Sequence, residues 1–178
     1  MPASVVRYSP RSVVLHWGMA IVIAVTIGLG LSLARAPDGW GDTLYRLHWS
    51  FGMTALALAT VRLANRLGSG VPPVHPTLTP VESLLSNLVH KALYFLMFIV
   101  PILGWLGKSA YGGAITIFGL FDMPALVGEN EAMAKTWLLL HKAAVFAFMG
   151  CLALHIAGAL NHALIKRDGV IERMTLRR

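Results

Sequence analysis

Cysteine is almost absent from this chain: one residue, Cys151, stands in the middle of an apolar run. That excludes internal disulfides, Cys-x-x-Cys metal clusters, iron–sulfur ligand sets and covalent haem attachment through Cys-x-x-Cys-His. Charge is scarce too, at 13% of residues, and acids are scarcer than bases, 8 Asp and Glu against 15 Lys and Arg. With a 56% hydrophobic content, this composition lies outside the soluble range. The net charge of +7 would suit nucleic acid, but the basic residues flank apolar blocks instead of forming one patch, so no nucleic-acid partner is expected. No internal repeat or low-complexity segment is present.

What is there comes in four apolar blocks, each near or beyond the roughly 20 residues that cross a bilayer core. The spans are expected at about 13–34, 44–67, 84–106 and 137–165. The first could be read as a signal peptide, with Ala34-Arg35-Ala36 as a cleavage site. Its apolar core exceeds the roughly 7–15 residues of a signal segment, so it is expected to stay as a helix. Pro72, Pro73, Pro76 and Pro80 forbid a continuous helix between the second and third blocks. Pro101 should bend the third. The connection 108–136 holds an apolar run, 114–121, too short to span, and is expected to cap the bundle at its interface. The expected class is all-α: an integral membrane four-helix bundle forming a single domain over 1–178.

Four spans place both termini on one side. That side carries Arg7, Arg11, Arg62, Arg66, Lys166, Arg167, Arg173, Arg177 and Arg178. The other carries Arg35, Arg46, Lys108 and Lys135 with Asp38, Asp42, Asp122, Glu129 and Glu131. The positive-inside rule then puts the termini in the cytoplasm and the 108–136 loop in the periplasm. Trp40, Trp49, Trp105 and Trp137 lie near the opposite interface, as an aromatic belt would.

His16, His48, His90, His141, His155 and His162 lie in the spans; only His75 falls in a loop, and it is given no role. Ionisable side chains in a bilayer are costly and point to function, although one alone serves equally well as an inter-helix hydrogen bond. His141, His155 and His162 share one stripe of the last span. Offsets of fourteen and seven residues leave net rotations of roughly 40° and 20°, and the first two are roughly 21 Å apart along the axis. Depth sorts the rest. His48 and His141 stand alone at the outer level, which nearly forces their pairing. At the inner level His155 takes as partner either His16 or His90, and the residues alone leave this open.

Paired histidines on facing helices suit trans axial ligation of haem iron. A zinc site would want three or four converging ligands, and the spans offer no acid apart from Glu82 at the edge of the third. Gly52 and Gly158 could leave room for a ring against the backbone, or could serve helix packing. Arg46 and Lys142 outside, and Arg62 and Arg66 inside, could pair with haem carboxylates or simply anchor the interface. Met53, Met97 and Met149 are outcompeted as ligands by the histidines.

Arg11-x-x-x-x-His16-Trp17, His48, Arg62 with the proline-rich loop, Phe118-Gly-Leu-Phe-Asp-Met-Pro124, and Trp137-x-x-x-His141 with His155 and His162 follow one another over nearly the whole chain. In this order they resemble the bacterial cytochrome b561 type of di-haem membrane protein. The resemblance implies two haem b groups, His16 pairing with His155 on the cytoplasmic haem and His48 with His141 on the periplasmic one.

Two haems with both axial positions filled favour electron transfer over oxygen binding. His90 and His162, with Asn161, are polar groups near the inner boundary where a quinone headgroup could sit and exchange protons; for His90 an inter-helix hydrogen bond serves as well. The resemblance extends to superoxide oxidases, implying oxidoreductase activity from periplasmic superoxide to ubiquinone in the bacterial inner membrane. The alternative is a non-catalytic cytochrome b subunit carrying electrons between quinone and a periplasmic redox partner. A transporter or a purely structural membrane protein leaves the ladder of histidines unexplained.

Overall fold

A computed structural model describes residues 7–176; Arg177 and Arg178, counted in the charge bias, lie outside them. Four long helices dominate: α1 (Pro10–Ser32), α2 (Gly41–Ser69), α3 (Pro80–Ala110) and α4 (Glu131–Leu160). The starts of α1, α3 and α4 are set by polar caps that hydropathy does not register, so these helices begin before the apolar blocks do. The Ser9 hydroxyl accepts the Ser12 N–H ahead of α1, with Pro10 in the first turn. Thr79 and Glu82 form a reciprocal capping box ahead of α3, again followed by proline. Asn130 accepts the Met133 N–H at 3.0 Å and starts α4 about six residues before its apolar block. α2 ends at Gly70, where φ is 70° and a side chain would strain the backbone. α3 stays helical through Pro101, which removes one amide donor without ending the helix.

Among the described residues, three helical stretches are long and apolar enough to cross a membrane: Pro10–Arg35, Pro80–Ala110 and Glu131–Lys166. Four were expected. At 29 residues α2 has the length, but it carries Asp42, Arg46, Arg62 and Arg66. The α1–α2 and α3–α4 contacts are the most extensive, and α2 also packs on α3. Val89, Leu93 and Leu96 of α3 and Phe148 of α4 form the core between the two histidine levels, with Ile23 and Ile27 of α1 packed against them. Large apolar side chains such as Ile21, Phe95, Phe146 and Leu154 point outward, the inverse of a water-soluble protein.

The all-α expectation has one exception. The apolar run after α3 forms an antiparallel hairpin, β1 (Ile115–Ile117) with β2 (Phe121–Met123), Thr116 facing Asp122. Ile-Thr-Ile favours extended chain, and Phe118 and Gly119 both turn through positive φ (48° and 74°), as a tight hairpin turn requires. The fully buried Ser50 of α2 holds it: its hydroxyl accepts the Phe118 N–H at 2.9 Å and donates to the Arg46 carbonyl at 2.8 Å. The Trp105 indole donates to the Pro124 carbonyl at 2.9 Å, and the Leu126 N–H to the Ser109 hydroxyl at 3.1 Å. These bonds tie the long connection to α2 and α3.

At the other end, α4 widens into a π-helical turn, Asn161–Lys166, closed by Arg167 in the left-handed region. The chain then returns beneath the helices. The Trp17 indole donates to the Met174 carbonyl at 2.9 Å, Arg173 to the Pro73 carbonyl at 2.8 Å, and the Tyr8 amide to the Arg173 carbonyl at 3.2 Å.

Candidate functional site

Five of the six span histidines gather at two levels, and His162 lies apart from both. At the first, α2 presents His48 and α4 presents His141, ring centres 6.3 Å apart and planes at 88°. Each ring is anchored on a third helix by the same device. His48 Nδ1 donates to the Thr26 carbonyl of α1 at 3.0 Å, and His141 Nδ1 to the Val100 carbonyl of α3 at 2.8 Å. A glycine stands one turn past each carbonyl: a Cβ on Gly30 would lie 2.9 Å from the His48 ring, and one on Gly104 3.2 Å from His141. With Nδ1 committed as donor, Nε2 keeps its lone pair, the tautomer a metal-ligating histidine takes when a carbonyl holds its other nitrogen.

Gly52 and Gly158, the glycines singled out from the sequence, receive nothing within 4 Å of an added Cβ, so neither serves helix packing. Gly30 and Gly104 are the positions that matter here. No feature of one sequence marks them, because their role depends on how α1 meets α2 and α3 meets α4. Gly30→Ala is expected to tilt His48 and weaken cofactor retention at this level by about 10–100-fold, the usual scale for a lost orienting contact. Titrating the cofactor into stripped protein measures it. Gly150→Ala, with nothing within 4 Å, should behave as wild type.

At the second level His16 of α1 and His155 of α4 have ring centres 6.1 Å apart with planes at 70°. His90 of α3 is closer to His155, at 5.1 Å, and its Nδ1 bonds the Ser86 carbonyl of its own helix at 2.6 Å. Metal–imidazole bonds are about 2 Å long, so an ion between two facing rings separates their centres by roughly 6 Å. Both 6.1 and 6.3 Å meet that requirement, whereas 5.1 Å is short of it. The Arg62 guanidinium of α2 lies within electrostatic reach of His16, His90 and His155. Its Nε donates to the Tyr94 hydroxyl at 3.1 Å, and Arg66 lies over the Tyr94 ring at 5.4 Å. One terminal nitrogen of Arg62 is buried with no hydrogen-bond partner among the described residues, and so is the Trp137 indole N–H, one turn before His141. Two orphaned donors, one at each level, are what an anionic group would satisfy. From the sequence Trp137 reads as an interfacial aromatic and as part of the Trp137-x-x-x-His141 pattern, not as a hydrogen-bond donor to a cofactor.

His162 is tied to a residue that sequence reasoning missed. Its Nδ1 bonds Asp168 Oδ2 at 2.8 Å, and the Thr77 hydroxyl donates to the same oxygen at 2.9 Å. Burial works against ionisation of Asp168, but the hydrogen bonds from His162, Thr77 and the Val170 amide outweigh it and hold the carboxyl below its usual range. A depressed carboxylate stabilises the fold above its ordinary pKa and loses that contribution as pH falls through the lowered one. Arg46 and Lys142 are exposed at the outer level.

A family profile for prokaryotic cytochrome b561 matches residues 7–176. The chain belongs to the prokaryotic cytochrome b561 family. It is similar to cytochrome b561 homolog 2 of Escherichia coli (strain K12), 32% identical over 170 residues that cover 94% of this chain and 90% of the relative. It is also similar to a probable superoxide oxidase CybB of Yersinia pestis, 25% identical over 168 residues, 94% and 95% of the two chains. Cytochrome b561 homolog 1 of the same E. coli strain is 26% identical over 179 residues, 97% and 98%. A prokaryotic cytochrome b561 with three apolar membrane helices is a multi-pass protein of the bacterial inner membrane, and its family work is transmembrane electron transfer with b-type haem. The residues fit that group: opposed imidazoles with free Nε2 positions, and unpaired buried donors for haem carboxylates.

Proposed function

We propose that this cytochrome carries electrons across the membrane through two b haems, taking them from periplasmic superoxide and delivering them to ubiquinone. The observation that carries the reading is the pair of matched imidazole separations, 6.3 and 6.1 Å, whose α4 members lie fourteen residues apart. His48 and His141 would hold the outer haem, His16 and His155 the inner one. In this reading α2 is the fourth membrane crossing, its charges confined to its two ends, and both termini face the cytoplasm in one domain. Bound haem would supply a one-electron carrier at each level. The chain orients the His48 and His141 imidazoles from backbone carbonyls of α1 and α3. Arg62, with Arg66, would neutralise haem carboxylates inside, and Trp137 would donate to one outside.

The overall chemistry balances when two superoxide anions each give up one electron and leave as dioxygen, while one quinone takes both electrons and two protons to become quinol. His162 and Asn161 lie where the quinone head would meet the inner haem. Arg35, Arg46, Lys108, Lys135 and Lys142 supply the outer attraction for an anionic donor, offset in part by nearby acids.

The test uses purified protein. A pyridine haemochrome assay should give about two haem b per chain, and pulsed superoxide with quinone present should give fast reduction of the α-band and quinol formation. A chain without a Soret band overturns the haem reading. Haem that superoxide does not reduce above background overturns the oxidase reading and favours the carrier serving a periplasmic redox partner, which stoichiometric co-purification would reveal.

A further inference from the structure

The loop histidine, His75, is one end of a continuous hydrogen-bonded chain. His75, half-buried in the proline-rich loop, meets the hydroxyl of the exposed Thr77 through Nδ1 at 2.8 Å. Thr77 donates to Asp168 Oδ2 at 2.9 Å, and that oxygen accepts from His162 Nδ1 at 2.8 Å. Thr77 is exposed, whereas the Asp168 and His162 side chains are only 8% and 11% accessible. Three separate segments supply the groups: the loop before α3, the returning C-terminal segment and the π-helical turn after α4. His162 lies about two turns beyond His155 on the same stripe.

We propose that His75, Thr77, Asp168 and His162 form the proton path from the cytoplasmic surface to the quinone. Each member is a group that can both accept and release a proton, and the chain joins the exposed Thr77 hydroxyl to the enclosed Asp168 and His162 side chains. Quinone reduction consumes two protons for two electrons. His162 gives a proton to the quinone oxygen, Asp168 re-supplies the imidazole, and the Thr77 hydroxyl re-supplies Asp168 with the proton that His75 takes from water. Delivery shifts the hydrogen from one ring nitrogen of His162 to the other, and reorientation of the ring resets it. The ionised Asp168 makes the path run inward by attracting the proton past the neutral hydroxyl. Lys166, which could otherwise compete for Asp168, is paired with Glu82.

This inference rests on the quinone reading, and its test separates the two. Thr77→Val keeps the shape of the residue and removes the hydroxyl, and Thr77→Ser restores it. In the haem-loaded protein, superoxide should reduce the haems of Thr77→Val at the wild-type rate, while quinol formation slows by about 100-fold, the lower end of what positioned proton transfer contributes. Thr77→Ser should recover it. In the resting protein, exchange of the His162 ring proton with deuterium oxide, followed by NMR, should slow several-fold in Thr77→Val and return in Thr77→Ser. Wild-type exchange and wild-type quinol formation in Thr77→Val would overturn the path. So would equal losses in the Val and Ser variants with a lowered Tm, which would make Thr77 a structural tie. If wild-type protein forms no quinol at all, the quinone reading fails, and the exchange measurement still decides whether the path exists.

Discussion

Alanine at His141 is expected to cut the haem content roughly in half, from about two per chain to about one, with the remaining haem keeping its bis-histidine spectrum. The outer imidazoles are anchored independently of the inner ones. His141 hangs on Val100 and His48 on Thr26, while the inner pair depends on neither carbonyl. Removing one ring leaves the iron a single protein ligand at that level and orphans the facing nitrogen of His48. His48→Ala should therefore give the same result, and the double variant should be no worse. Pyridine haemochrome per chain and a redox titration, with one of two potentials missing, measure it. Loss of both haems from either variant would show that the sites do not bind independently, and would overturn the assignment of this pair to one level.

The second large effect concerns which ring faces His155. His16→Ala is expected to empty the inner level of haem, whereas His90→Ala should keep both haems. The rings of His16 and His155 are 6.1 Å apart, enough for an ion between them; His90 is 5.1 Å from His155 and is bonded back to Ser86 on its own helix. A ring held that way would have to swing outward to ligate. Haem content decides the point directly: haem lost from His90→Ala and retained in His16→Ala reverses the assignment. Where His90→Ala keeps both haems as expected, slow quinol formation in it would mark His90 as part of the quinone pocket.

The contrast between the two levels shows what can be read in a single chain. The α4 stripe was legible because a helix has one fixed period, so His141, His155 and His162 could be related by arithmetic alone. Depth, which follows from distance to the block ends, was legible for the same reason and paired His48 with His141. Choosing between His16 and His90 needed the rotation of α1 and α3 about their axes, a matter of inter-helix packing that local sequence does not carry. Gly30 and Gly104 were hidden for that reason too. The hairpin was hidden because a run of eight apolar residues fits several short structures, and positive φ at Phe118 is not a preference that phenylalanine announces. Asp168 escaped because it lies beyond the last apolar block, where charged residues are the rule.

The imidazole anchors have a consequence for how the molecule is made. Around the outer level α2 and α4 give the rings while α1 and α3 give the carbonyls that hold them; around the inner level α1 and α4 give the rings and α2 gives Arg62. A cofactor seated there meets groups that come together only once separately inserted helices have found one another. Mass action then makes it a staple: a ligand at a thousandfold excess over its Kd adds about 4 kcal/mol to the state that binds it. Haem supply, in this view, governs how much assembled protein the membrane accumulates, and a cell short of haem would clear the chain before it could ever misdirect an electron.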